Sequence, residues 1–167
     1  MVLDFWMTLL KKIMNNRVIP IQVNLYSISS DFKDIMLRLC ESFIKKSQKA
    51  IIMLKDIQEL EDLDKFLWTR NKNSFIPHKS ITDQILETDS IILSYNNLNG
   101  LKVDKKFDTL IISPYRSIKT FKLFKKYLVF SYKKNNSVPK LYKDKLESKG
   151  FNVVCYDEYE KFKWKVS

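Results

Sequence analysis

The sequence predicts an α/β fold of three layers, in which helices cover both faces of a mostly parallel sheet. Short apolar runs that suit strands alternate along the chain with segments whose apolar residues recur at helical spacing. The chain has 167 residues, 45% of them hydrophobic, which suits one domain with a substantial core. This alternation predicts a Rossmann-like fold. Only Gly100 and Gly150 are glycines, so the glycine-rich nucleotide-binding loop of such folds is absent.

The first half of the chain supplies two strand–helix units. The predicted elements are a strand over 19–26, a helix from Phe32 to Ile44, a strand over 50–54 and a helix from Ile57 to Trp68. Ser29-Ser30-Asp31 offers a cap for the first helix, whose apolar residues form a full stripe. Residues 50–54 are a continuous apolar run, which is typical of a strand buried on both faces.

The second half continues the alternation after a polar loop over 79–89. Its predicted elements are strands over 91–95, 109–112, 127–132 and 152–156, a helix from Arg116 to Lys126 and a last helix capped by Ser137. Pro139 falls in the first turn of the last helix and Gly150 at its end, a normal pairing of start and stop signals.

Residues 1–18 form an N-terminal extension, separate from the predicted domain over 19–167. Apolar residues recur in it at helical spacing, but Asp4 interrupts them and the charge order is wrong for a signal peptide. Three interpretations stay open: a packed peripheral helix, an interfacial membrane helix, or an extension that precedes a later start at Met14. No apolar run is long enough to span a bilayer, and we expect no membrane association of the domain.

The net charge of +11 is concentrated in one part of the chain. Between Leu101 and Lys149 there are fourteen Lys and Arg residues against four Asp and Glu. This excess points to an anionic partner: nucleic acid, acidic lipid or an acidic peptide. The alternative is a lysine-rich solvated surface.

Side chains that would carry catalysis or hold a cofactor are scarce. His78 is the only histidine, and no carboxylate or cysteine stands at a spacing that would complete a metal site with it. We therefore expect no catalytic site, metal or cofactor, and we expect His78 to form a hydrogen bond that fixes the loop after Pro77. Cys40 and Cys155 are predicted to be buried free thiols, which suits a protein of the reducing cytoplasm.

One motif gives the chain a family resemblance. Leu67-Trp68 ends a helix and is followed, after five residues, by Ser74-Phe75-Ile76-Pro77-His78. In this spacing the chain resembles the DNA polymerase III chi subunit family (HolC-like), and the order of the elements resembles it from about Ile19 onward. We expect Leu67 and Trp68 to anchor the helix end in the core, with Phe75 beside them and Pro77 holding the backbone extended.

The resemblance implies a non-catalytic accessory subunit that links the clamp loader to single-stranded-DNA-binding protein (SSB). It implies binding to the acidic C-terminal tail of SSB, contact with a psi subunit or another clamp-loader component, and an indirect association with single-stranded DNA. Such a tail needs an apolar pocket surrounded by cations. The residues predicted to form this site are Lys133, Lys134, Val138, Lys140, Tyr142, Lys143 and Phe151.

A second interpretation is a basic protein that binds single-stranded nucleic acid directly. Tyr127, Phe130, Tyr132 and Tyr142 are interleaved with lysines in the basic part of the chain. Aromatic rings of this kind can stack on bases while lysines contact phosphates.

Overall fold

A computed structural model describes residues 20–70, 75–96, 98, 106–117, 124–135 and 138–167, with only the backbone for residues 135 and 138–141. The strands are β1 (Gln22–Ile28), β2 (Ala50–Met53), β3 (Lys79–Ser80), β4 (Ile91–Ser94), β5 (Thr109–Ile112), β6 (Lys126–Tyr132), β7 (Asn152–Glu160) and β8 (Lys163–Val166). The helices are α1 (Phe32–Lys45), α2 (Ile57–Thr69) and α3 (Val138–Glu147), and a 3₁₀ turn spans Lys133–Asn135.

The described strands form one sheet in the order β3-β4-β2-β5-β6-β1-β7-β8. Every neighbouring pair is parallel except β7 and β8, which form an antiparallel hairpin at one end of the sheet. The predicted mostly parallel sheet is therefore confirmed. Because the strands are parallel, their amino ends meet at one edge of the sheet and their carboxyl ends at the other.

Two apolar clusters on opposite faces of the sheet make the three layers. On one face, α1 and α2 pack through residues such as Met36 and Leu63, which are fully buried. On the other face, α3 contributes Leu146 to a cluster that includes Val23 and Cys155. Each side chain that leaves water here contributes on the order of 1.5–3 kcal/mol to folding.

Local signals in the sequence explain where α1 and α2 begin. The Asp31 carboxylate accepts a hydrogen bond from the Lys33 N–H at 2.9 Å, and Asp56 accepts one from the Glu59 N–H at 2.9 Å. Each acceptor satisfies a backbone donor that the helix itself leaves free. The cap predicted for α1 is thus present, with Asp31 as the capping residue.

The C-terminal end of the sheet differs from the prediction. The last predicted strand stopped at 156, whereas β7 continues to Glu160 and turns into β8, which the sequence interpretation missed. Lys126 begins β6 instead of ending a helix. Residues 116–117 and 124–125 of the predicted helix are not helical either, and 118–123 lie outside the described residues, as do the N-terminal extension and the Ser137 cap.

Both cysteines are free and buried, as predicted. Burial raises the pKa of the Cys40 thiol to about 12, so this group stays protonated at neutral pH. Among the described helices, none is long and apolar enough to cross a membrane.

Candidate functional site

The Leu-Trp motif divides into a buried residue and an exposed one. Leu67 is buried, as expected, but Trp68 is 52% exposed and Phe75 is 61% exposed. The expectation that Trp68 anchors in the core was therefore wrong, whereas Phe75 lies beside Trp68 as expected, although on the surface. Leu60, Leu63 and Leu67 recur along one face of α2. Trp68 follows Leu67 directly, so its side chain points about 100° away from that face.

The two exposed rings lie together on the surface and form what we call the aromatic pair, Trp68 and Phe75. Their ring centroids are 4.8 Å apart, and the Trp68 ring lies 5.4 Å from that of His78. Ile76, between Phe75 and Pro77, is buried and fixes the turn to the core. Two large apolar rings are thus held side by side in water.

His78 ties this turn to α2. Its Nδ1 lies 2.7 Å from the Ile76 carbonyl oxygen, and its Nε2 lies 3.0 Å from the Asp64 carboxylate. Both partners are acceptors, so the ring makes both hydrogen bonds when both of its nitrogens carry a proton. The prediction that His78 is a hydrogen-bonding residue of this loop is confirmed.

On the opposite face of the sheet, three described side chains of the predicted partner-binding set belong to α3 and to the turn that leads into β7. Burial raises the pKa of the Cys155 thiol on β7, and the nearby Lys143 ammonium of α3 opposes this rise. Phe151 is half-buried against the cluster that contains Leu146, and its N–H donates to the Leu146 carbonyl at 3.2 Å. Tyr142, next to Lys143, is 37% exposed. We call Tyr142, Lys143 and Phe151 the α3 site.

The structure separates the other predicted lysines from the α3 site. Lys133 and Lys134 follow the carboxyl end of β6, whereas Phe151 precedes the amino end of β7, and both strands are parallel to β1. Lys133 and Lys134 therefore lie at the opposite edge of the sheet from Phe151, about 20 Å away along a seven-residue strand. Lys133 donates to the Glu158 carbonyl, and Lys134 is exposed. Val138 and Lys140 belong to α3, but their side chains lie outside the description.

Glu158 is the polar residue that sequence interpretation missed. It is 2% exposed, and its carboxylate accepts from the Ser29 N–H at 2.6 Å, the Ser30 N–H at 2.8 Å and the Phe162 N–H at 2.8 Å. The Ser30 hydroxyl donates to it as well. Burial opposes the charge, but these hydrogen bonds outweigh it and keep the pKa of Glu158 below its ordinary value. The turn in which nucleotide-binding folds hold a phosphate is filled here by a side chain of the same chain.

The prediction that aromatic residues of the basic segment stack on bases is wrong for two of them. Tyr127 is 1% exposed and Phe130 is 4% exposed, so neither ring can reach a base. The Tyr132 hydroxyl accepts from the Phe32 N–H at 3.4 Å, which ties its ring to the start of α1. The period of two along β6 turns Leu128 and Phe130 toward α1 and α2, and Tyr127 toward the α3 face.

Comparisons with known proteins agree with the motif. A family model described as "DNA polymerase III chi subunit, HolC" matches residues 22–142. The "Probable DNA polymerase III subunit chi" of Rickettsia prowazekii (strain Madrid E) is 36% identical over 63 residues, which is 37% of this chain and 38% of that protein. The match thus spans well under half the length of this relative. No solved structure matches the chain. Because the family model covers well over half of the residues, the chain belongs to the DNA polymerase III chi subunit family.

Proposed function

We propose that the protein joins SSB to the clamp loader, with the α3 site as its receptor for the acidic C-terminal tail of SSB. One combination of residues carries this proposal: the Lys143 ammonium on α3 acts on Cys155 of β7, and the half-buried ring of Phe151 packs against the apolar cluster that contains Cys155. A tail that ends in an apolar residue and a free carboxylate requires this combination of a cation and an apolar surface. We expect the protein to act in the cytoplasm, where replication takes place.

The α3 site fits an acidic peptide better than a small metabolite. Tyr142 and Lys143 extend its polar side toward solvent, while Phe151 belongs to the apolar cluster beneath α3. Lys140 precedes Lys143 by three residues and adds a second positive charge to the same helix. A charge-assisted hydrogen bond to a partly desolvated carboxylate is worth about 1.5–3 kcal/mol.

Calorimetric titration with a synthetic SSB tail peptide tests the proposal. Lys140→Ala and Lys143→Ala should each weaken binding about tenfold, because each removes one charge-assisted contact. Lys145→Ala is the matched control, since Lys145 is an exposed lysine on the same helix. A peptide without its terminal apolar residue should bind more weakly to the unmodified protein.

Two results would contradict this assignment. Equal affinities for the Lys143→Ala, Lys145→Ala and unmodified proteins would mean that the tail does not use the α3 site. Indifference to the terminal apolar residue would mean that binding is charge attraction alone. In the second case the Phe151 side of the site would have no role in recognition.

The aromatic pair is the second contact surface that we propose, and we assign it to the clamp-loader side of the linkage. Interfaces are enriched in Trp and Phe, and solitary proteins rarely expose two large rings in contact. The rings of Trp68 and Phe75 belong to the α2 face, whereas the α3 site belongs to the other face. This arrangement suits an adaptor that holds the tail of SSB and a psi-like or other clamp-loader subunit simultaneously.

A further inference from the structure

Charge is distributed unevenly between the two edges of the parallel sheet. The amino edge consists of the turns that lead into β1, β2 and β4–β7, and it gathers six lysines: Lys45, Lys46, Lys49, Lys125, Lys126 and Lys149. At the carboxyl edge, the basic residues Lys55, Lys133, Lys134, Lys161 and Arg116 face the acidic residues Asp31, Asp56, Glu59, Glu158 and Glu160. With Lys106 added and the carboxylates of Glu87, Asp89 and Asp108 subtracted, the amino edge carries a net charge of +4, whereas the five basic and five acidic residues of the carboxyl edge cancel.

Most carboxylates at the amino edge are bound by groups other than these six lysines, although Asp89 also interacts electrostatically with Lys49. Glu87 pairs with Lys106, Asp89 pairs with Lys79 at 3.1 Å, and Asp108 accepts from the Thr109 hydroxyl at 2.9 Å. Among the described residues, no carboxylate lies within ion-pair distance of the six. Lys49 is held in place by the Glu87 carbonyl and by the face of the Phe107 ring.

The register of the sheet turns the lysines into a row. Ala50, Thr109, Lys126, Gln22 and Asn152 are paired in that order across β2, β5, β6, β1 and β7. Neighbouring strands are about 4.8 Å apart, so Lys49 and Lys126 stand about 10 Å from each other along the edge. Lys149, close to the start of β7, lies about 10 Å further on. Positive charge therefore extends over about 20 Å, the reach of several nucleotides.

Helix dipoles explain only part of this pattern. Lys45 and Lys46 end α1, and Lys149 follows α3, so each stabilises the negative end of a helix. Lys49 instead precedes β2, and Lys126 is the first residue of β6. Basic residues also stand at the carboxyl edge, but there acidic residues balance their charge.

We propose that the amino edge binds the phosphate backbone of single-stranded nucleic acid directly. Lysine ammonium groups act on phosphates as point charges, and an extended row suits a flexible polyanion that can follow it. The row itself consists of lysines, so we expect contacts with phosphates and no sequence preference. The contact uses none of the residues of the α3 site, although Lys149 stands two residues from Phe151, and it needs no SSB.

Fluorescence anisotropy with a labelled oligothymidine tests the proposal on the full chain alone, over a series of salt concentrations. The variant Lys45→Gln/Lys46→Gln/Lys125→Gln should lower the slope of log affinity against log salt by about two. It should bind at least about tenfold more weakly at about 0.1 M salt. The matched control, Lys161→Gln/Lys163→Gln/Lys165→Gln, removes the same charge from the β7–β8 hairpin and should change the affinity less than about threefold.

Three outcomes would overturn the proposal. Equal losses in the two variants would show that net charge alone drives binding. Undetectable binding of the oligonucleotide by the unmodified protein at low salt would show that the row does not hold phosphates. Stronger competition by polyglutamate or by phosphatidylserine vesicles than by unlabelled oligonucleotide would assign the edge to an acidic protein or to a membrane. Circular dichroism should show the same folded spectrum for both variants.

Discussion

At the residue scale, Glu158 explains how the chain closes a turn that commonly binds phosphate. The turn after the first strand of a Rossmann-like sheet presents backbone N–H groups at the start of a helix, which favours an anion. Here the Ser29 and Ser30 N–H groups are already bound by a carboxylate from β7. Glu158 also receives the Phe162 N–H, so it fastens the β7–β8 hairpin to the first helix.

Replacing Glu158 with Gln should destabilise the protein at neutral pH by about 2–4 kcal/mol, because a neutral amide accepts fewer and weaker hydrogen bonds than a buried carboxylate. The pKa of Glu158 is lowered by folding. Its stabilising effect is therefore complete above the ordinary glutamate pKa of about 4.3 and is lost as pH falls through the lower value in the folded protein. The difference between the two proteins should narrow in that acidic window. Urea unfolding of both proteins at a series of pH values measures this difference in the free energy of unfolding.

Glu160→Gln is the control for this prediction, since Glu160 lies two residues further along the same hairpin. Its ion pair with Lys163, at 2.8 Å, is exposed on both sides, and such pairs contribute about 0–1 kcal/mol. Loss of stability in Glu160→Gln equal to that in Glu158→Gln would show that the buried hydrogen bonds do not hold the hairpin.

The burial of individual side chains was predictable from the sequence within periodic segments and was poorly predictable outside them. Leu67 continues the stripe of α2 and is buried, while Trp68 is one residue off the stripe and is exposed. Phe75 stands in a segment without periodicity, so the sequence pattern could not show whether its ring is buried or exposed. The role of Glu158 could not be predicted from the sequence, because its hydrogen-bond donors are 128 and 129 residues away along the chain and only the fold brings them together.

At the scale of elements, the central strands and the long helices were predictable from composition. Residues 109–112 form β5 as predicted, and α1 and α2 begin at the residues that their apolar stripes indicated. The β7–β8 hairpin was missed because Asp157, Glu158 and Glu160 are unusual in strands. The alternation in Lys163-Trp164-Lys165-Val166 was a usable signal for β8.

Gly150 joins α3 to β7, and its backbone conformation is the basis of a prediction at this scale. Its φ of +84° lies in the left-handed region, and no atom lies within 4 Å of an added Cβ. Any penalty for a side chain would therefore come from the backbone and not from a clash. Gly150→Val should cost about 1–2 kcal/mol and Gly150→Asn less, because Asn tolerates this region. Thermal unfolding compares the two variants, and equal costs would contradict a backbone origin.

At the scale of the whole molecule, the two proposed contact surfaces lie on opposite faces of one sheet. The aromatic pair extends from the end of α2, which packs on one face, while the α3 site lies on the other. Buried strands such as β2 and β4 separate the two faces. Coupling between two sites requires a second conformation of the protein that one ligand stabilises. We expect no such conformation of a packed sheet, so the two surfaces should bind their partners independently.

Independence can be tested with the double variant Trp68→Ala/Phe75→Ala. Because both rings are more than half exposed, their removal should change the free energy of unfolding by less than about 1 kcal/mol. The variant should bind the SSB tail peptide as tightly as the unmodified protein, yet lose at least about tenfold in affinity for the purified clamp-loader assembly of the same organism. Lys143→Ala should show the reverse pattern. Retained clamp-loader affinity in the double variant would remove the aromatic pair from that interface, and a loss of both affinities in a folded variant would mean that the sheet couples its faces.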